Sequence, residues 1–310
     1  MEKKVLVAVD DSIHSRKAVA YAGRLAAVIR EMRFTLVHVQ PALSQFLLDE
    51  AARNAASQSE LEKIVARNSQ AGRAILDRHR EALVRCGVAE KAIEQVSLPR
   101  HLGLAKDLLD YAQNSLFDAV LIARRGISSL HEMIVGSVSS SLIENSRVIP
   151  VWLVDGEVLS EGVLAAVDGS ETSLRAVDHL AFMLSGNPAA RVMFFHVTPR
   201  LRDFCEIDFN GEQDAGLEAI VSRSDRRCMD GFFAAAMKKL AEAGFGENQC
   251  EFQTAGTLMG VGDSILKAAR EGGFGTMVLG RRGMNKAFFS GSVSNYIVQK
   301  LSDAALWVIP

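Results

Sequence analysis

Neither sign of charge dominates this chain: 35 Lys and Arg stand against 37 Asp and Glu in 310 residues, a formal charge of −2. A basic surplus able to track a phosphate backbone is missing, which argues against nucleic acid as a partner. Long apolar runs are missing too. The run Val5 to Val9 is stopped by Asp10 and Asp11, too short for a signal peptide. No later segment approaches the roughly 20 apolar residues of a membrane span, so a cytoplasmic protein with no membrane span is expected. Cysteine is scarce. Cys86, Cys205, Cys228 and Cys250 form no CxxC pair and fall at unmatched places, which points to reduced thiols and away from a disulfide framework or a zinc site.

Several catalytic and cofactor signatures are absent as well. "GTLMGVGDS" (Gly256 to Ser264) has glycines, but its order is not GxGxxG after a first strand, and "PRHLGLAKD" (Pro99 to Asp107) keeps only one of them; both read as helix starts. No Lys stands between glycine and serine in either Gly-Ser, so a P-loop is excluded. Asp10-Asp11 suggests a phosphate-receiver pair, yet no acceptor Asp ends the third strand and no Lys the fifth. No Ser/His/Asp or Cys/His constellation repeats, so no dedicated catalytic site is expected and the chain is not read as an enzyme.

What is present is one unit written twice. "VLVAVDDSIHSRKAV" (Val5 to Val19) lies over "VLAAVDGSETSLRAV" (Val163 to Val177), and the register continues to "FTLVHVQP" over "VMFFHVTP" (Phe34 to Pro41, Val192 to Pro199). The halves separate after these prolines. They rejoin at "CGV" over "AGF" (Cys86, Ala243), at "LFDAVLIARRG" over "GFGTMVLGRRG" (Leu116, Gly273) and at "VWLV" over "LWVI" (Val151, Leu306). Two domains are expected, 1–156 and 157–310, joined by the polar turn Asp155-Gly156-Glu157 with no low-complexity linker.

Apolar β-branched runs predict strands over Lys4–Val9, Phe34–Val39, Ile93–Ser97, Ala119–Ala123 and Val148–Val154. The second half matches them with Val163–Val167, Val192–Val197, Gln249–Thr254, Thr276–Gly280 and Ala305–Ile309. Helices are expected near Ser15–Ile29, Glu60–Arg85, Leu104–Asn114 and Val138–Asn145, with counterparts in the second half. Unbroken apolar strands, each followed by a helix, indicate a parallel sheet covered on both faces.

Such sheets bind ligands where the winding reverses, at the carboxyl ends of the strands. The polar features shared by both halves fall there: Asp10 and Asp168 end the first strand, Val39 and Val197 the second, and the Arg-Arg-Gly loops leave the fourth. Gly-Ser-Val-Ser then opens the last helix, whose free N–H groups suit a phosphate. Ser137 and Ser292 can equally be read as N-caps.

The "VDxS" after the first strand, the "HV" closing the second and G-x-x-G-(nine residues)-G-S after the fourth resemble the universal stress proteins. The resemblance covers nearly the whole chain as a tandem pair. It implies an α/β fold of two tandem Rossmann-like (adenine nucleotide alpha hydrolase-like) domains, each a five-stranded parallel sheet of order 3-2-1-4-5. It also implies a stress-response regulator or scaffold that binds ATP or another adenine nucleotide, with Mg2+ as an accompanying ion; other members bind none. By resemblance, Asp10 or Asp168 lies by the adenosine and the backbone of Val39 or Val197 against adenine. Gly126, Gly136 and Ser137, or Gly283, Gly291 and Ser292, line the ribose and phosphates, with Val138, Ser139, Val293 and Ser294 completing the cradle.

Each half departs from the pattern. Ala123 stands where the second half has Gly280, adding a methyl at a place where close approach or a positive φ would favour glycine. The second half spans Gly283 to Gly291 with seven residues instead of nine, which would draw Gly291-Ser292 from the outer phosphates. A scaffold with decayed sites and a slow ATPase are the alternatives. Arg124-Arg125 and Arg281-Arg282 rank second as phosphate contacts, being expected in solvent. His38 and His196 are expected as hydrogen-bonded core. Trp152 and Trp307, at one place on each fifth strand, either fill their own domain or cover an edge; by resemblance that edge would close an intramolecular pseudo-dimer, leaving other surfaces for a homodimer or unknown protein partners.

Overall fold

The computed structural model describes residues 1–125, 137–200, 214–256, 260–281 and 292–310. It divides into two compact units whose chain boundary falls between Val154 and Asp155. In the first unit the order is β1 (Lys3–Ala8), α1 (Ile13–Val28), β2 (Met32–Val39), α2 (Gln45–Arg53), α3 (Ala55–Arg85) and β3 (Ile93–Leu98). It continues with α4 (Leu104–Asn114), β4 (Ala119–Ala123), α5 (Ser137–Asn145) and β5 (Val151–Asp155). The strands lie in the order β3-β2-β1-β4-β5 and pair in parallel, with Val5 opposite Phe34 on one side and Ala119 on the other.

The second unit repeats the plan. It runs β6 (Val163–Val167), α6 (Glu171–Leu184), β7 (Val192–Thr198), α7 (Asp214–Glu242), β8 (Cys250–Gly256), α8 (Val261–Glu271), β9 (Thr276–Gly280), α9 (Ser292–Lys300) and β10 (Ala304–Ile309). Its strand order is β8-β7-β6-β9-β10, again parallel. Both sheets are thus of order 3-2-1-4-5. Because parallel crossovers are right-handed, the two directions of winding put the helices on opposite faces.

The apolar runs account for the core. β6, β5 and β10 are buried at every position, as a strand covered on both faces must be. α1 turns Ala18, Ala22 and Leu25 inward at helical spacing. The "CGV" and "AGF" matches are helix ends: Gly87 and Gly244 take φ of 90° and 86°. The following Val88 and Phe245 N–H groups donate to Leu83 and Leu240 carbonyls at 3.1 and 2.9 Å, the Schellman pattern that needs glycine. Likewise Gly103 and Gly260 are the N-caps of α4 and α8 with φ of 127° and 153°, so the glycine-rich runs are helix starts.

Three expectations need correction. The fifth strand begins at Val151 and not at Val148, which is 62% exposed in the turn before it. The strand expected over Gln249–Thr254 runs Cys250–Gly256. The segment after Pro41 holds an unexpected helix, α2, and α3 starts at Ala55, where Asn54 caps it by accepting the Ala56 N–H at 2.9 Å. The buried residues of α3, Gly72, Leu76, His79 and Leu83, all lie in its second half. At the start of the second unit Gly156 has φ 66°, and the Glu157 N–H donates to Asp303 Oδ1 at 3.1 Å.

Candidate functional site

The first and fourth strands of each unit are neighbours, which sets Asp10 beside the exit of β4 and Asp168 beside that of β9. Both aspartates are held by the same local bonds. The Asp10 N–H donates to Ser15 Oγ at 2.9 Å, its Oδ1 accepts the Ser12 N–H at 2.9 Å, and Ser12 Oγ accepts the Ser15 N–H at 3.0 Å. In the second unit the matching distances are 3.1 Å to Ser173, 3.0 Å from Ser170 and 3.1 Å between Ser170 and Ser173. Ser173 also donates its hydroxyl to Asp168 Oδ1 at 2.7 Å. An Asx turn here runs into a serine N-cap. The paired serines were legible as "DDSIHS" over "DGSETS", a shared spacing of cap and turn residues that the expected site omitted.

At the exit of β4 the hydroxyl of Ser139 donates to the Arg124 carbonyl at 2.8 Å. That bond ties the first turn of α5 to the strand end. Ser139 and Ser294 are 1% and 2% exposed, so Ser139 offers a ligand its backbone N–H before its side chain. Val138 and Val293 are half-buried, and Ser137 and Ser292 are the first residues of α5 and α9. Gly126, Gly136, Gly283, Gly291 and Arg282 lie outside the described residues. Val39 and Val197 sit at the ends of β2 and β7, opposite Leu98 and Ala255. Arg124 is 4% exposed, which overturns its expected place in solvent.

The contrast between Ala123 and Gly280 does not come from a positive φ. Ala123 is buried in β4 and has no positive φ, and neither does Gly280. A Cβ at Gly280 would lie 2.9 Å from Thr172 Cβ and 3.0 Å from its Oγ1. The glycine therefore makes room for α6.

The long helices bring groups that the repeat did not disclose, because the segments holding them do not align. His79 of α3, 1% exposed, donates from Nε2 to the Asp10 carbonyl at 2.9 Å, and Arg78 pairs with Asp11. Burial holds the His79 imidazole below its ordinary range, the bond to Asp10 opposing and Arg78 adding to the effect. In the second unit burial pushes the Cys228 thiol of α7 up, with Asp225 and Asp168 adding to it. His38 and His196 are hydrogen-bonded strand residues, donating from Nδ1 to the Val9 and Val167 carbonyls at 3.0 and 2.9 Å. Trp152 and Trp307 are fully buried, and Trp307 packs edge-on to His179 of its own unit at 5.7 Å.

Two doubly wound units, each with a carboxylate and a helix start at the point where the winding reverses, define a tandem α/β protein of duplicated domains. The model of the universal stress protein family matches residues 1–155 and again 161–308, and the chain belongs to that family. It shares its fold with a universal stress protein from Archaeoglobus fulgidus DSM 4304 (TM-score 0.64, 17% identity, 99% of this chain and 97% of that one). A protein of unknown function from Pseudomonas aeruginosa PAO1 is also similar (TM-score 0.55, 15% identity, 99% and 92%). Among curated proteins no relative is matched. No described helix is long and apolar enough to cross a membrane.

Proposed function

We propose that the chain is a stress-response regulator or scaffold, not a metabolic enzyme, that takes an adenine nucleotide at the strand-end mouth of one or both units. One observation carries this reading: Asp10 and Asp168 are held by the same bonds beside the exit of the neighbouring strand, and in the first unit the helix start is tied to that exit. A carboxylate suits ribose hydroxyls, the peptide groups at Val39 and Val197 suit an adenine edge, and the helix start suits phosphate. No three His, Cys, Asp or Glu side chains converge on a metal position among the described residues, so an accompanying Mg2+ would be held chiefly by phosphate oxygens. The first unit is the favoured one, since its loop has the longer spacing.

The test is calorimetric titration with ATP, AMP and cyclic AMP, alongside the mass of any co-purifying nucleotide. Asp10→Asn keeps an acceptor for the Ser12 N–H, so the turn persists while the charge is lost. It is expected to weaken binding about tenfold or more, with Asp168→Asn having the smaller effect. Failure of all three nucleotides to bind at millimolar concentration would leave the scaffold with decayed sites, and sustained turnover of labelled ATP would favour an ATPase.

A further inference from the structure

In each unit the helices before the fourth and fifth strands pack together, α4 on α5 and α8 on α9. They match in length, eleven residues for α4 and α8 and nine for α5 and α9. Ala105, Lys106 and Ser141 therefore take the places of Gly262, Asp263 and Tyr296. In the second unit Tyr296 bridges the two helices. Its hydroxyl donates to Asp263 Oδ1, and its ring lies so close over Gly262 that a Cβ there would be 2.5 Å from Cδ1. One turn along α8, Lys267 lies 3.8 Å from Glu271. In the first unit serine replaces the tyrosine, and a groove of about 370 Å³ runs between α4, α5 and the turn into β5. Small-molecule sites occupy about 300–1,000 Å³. Lys106, Asp110 and Arg147 stand on its walls, with Leu109, Val148 and Ile149 as its apolar part. Among the described residues those three charged groups enter no ion pair and no side-chain hydrogen bond.

We propose that this groove of the first unit binds a free aromatic amino acid. Charges of both signs over an apolar strip complement a ligand that carries both signs and an apolar body. The ligand carboxylate pairs with Lys106 and Arg147, its ammonium with Asp110, and its ring lies on Leu109, Val148 and Ile149. The second unit shows the shape that this helix pair accepts, a phenol supplied there by the chain itself. Exchanging Asp263 for Lys106 turns that end from an acceptor of a phenol proton into a donor, which suits a carboxylate. The Ala105 methyl stands where the Tyr296 ring packs on Gly262, so the ligand ring sits further along, toward the turn into β5 where the apolar side chains are. None of the lining residues belongs to the Asp10 mouth, and the proposal does not rest on the nucleotide reading.

Amide NMR of the full labelled chain tests this by titration with L-phenylalanine, with 3-phenylpropionate, which lacks the ammonium, and with phenethylamine, which lacks the carboxylate. Exposed ion pairs add little each, so half-saturation by phenylalanine is expected near about 1 mM. The shifts should gather in α4, α5 and the turn into β5 and leave α8 and α9 unmoved. Phenylpropionate should bind more weakly, and phenethylamine more weakly still. Lys106→Gln and Arg147→Gln should each weaken phenylalanine about twofold to fivefold. Asp110→Asn should remove the preference for phenylalanine over phenylpropionate, which a merely structural role would not do. Ser141→Tyr should close the groove and abolish binding; the exposed charge variants decide the matter should that variant fail to fold. No saturable shift in these segments up to about 10 mM overturns the proposal. So does equal binding of the three compounds, or binding indifferent to Lys106→Gln and Arg147→Gln combined.

Discussion

The two units share their sheets almost residue for residue, yet each places different groups above the sheet. Asp10 and Asp168 sit in the same net of serine bonds, whereas α3 reaches that loop with His79 and Arg78 and α7 reaches the neighbouring strand with Asp225. Duplication has preserved the parts that build a mouth and has let the covering helices diverge. The difference teaches that the halves are alike in the aspartate turn at the strand ends and unlike in the side chains that the covering helices bring to it.

The sharpest way to break the comparison is at Gly280. Gly280→Ala drives a methyl against Thr172 and is expected to cost about 2–3 kcal/mol, while Ala123→Gly in the first unit costs only about 1 kcal/mol through chain entropy and lost packing. Urea denaturation of the two variants measures both; equal losses would mean that the strand exits are equivalent after all.

Acid comes next. Burial lowers His179 to about 3 from 6.5, and His79 is lowered as well. For a histidine depressed in the folded state the unfolded chain takes the proton first. Stability is therefore full above about pH 6.5 and falls as pH drops below it, by up to about 1.4 kcal/mol per pH unit for each such group. Midpoints measured between about pH 7 and about pH 5 should slope less in His79→Gln and in His179→Phe, the latter keeping a ring against Trp307. A smaller effect is expected at Leu116. It holds φ 55° where the second unit has Gly273 at 66°, and it is 79% exposed. Leu116→Gly should raise stability by about 1 kcal/mol, read as a higher melting temperature of the first unit.

The places where sequence reasoning held are those where the repeat and the physics agreed. β4, β6, β9 and α4 fall where the apolar runs and their breakers put them, because a strand buried on both faces leaves a continuous signature. The adjacency of first and fourth strands followed from the family resemblance. What escaped was α2, whose one buried residue is Ala51, and the helix-borne His79 and Asp225. They lie in segments after Pro41 and Pro199 that the halves do not share, so comparing one half with the other gave no register there. The meaning of Gly280 escaped for another reason. A glycine required by a neighbouring helix and one required by a ligand look alike in one dimension.

The serine-braced aspartate turn has a kinetic consequence. A loop whose donors and acceptors already satisfy one another arrives at an encounter in finished form, so ordering it subtracts nothing from affinity. Under the proposed nucleotide reading, the aspartate side of each mouth would then meet its ligand without a folding step, and capture there would be set by diffusion and orientation.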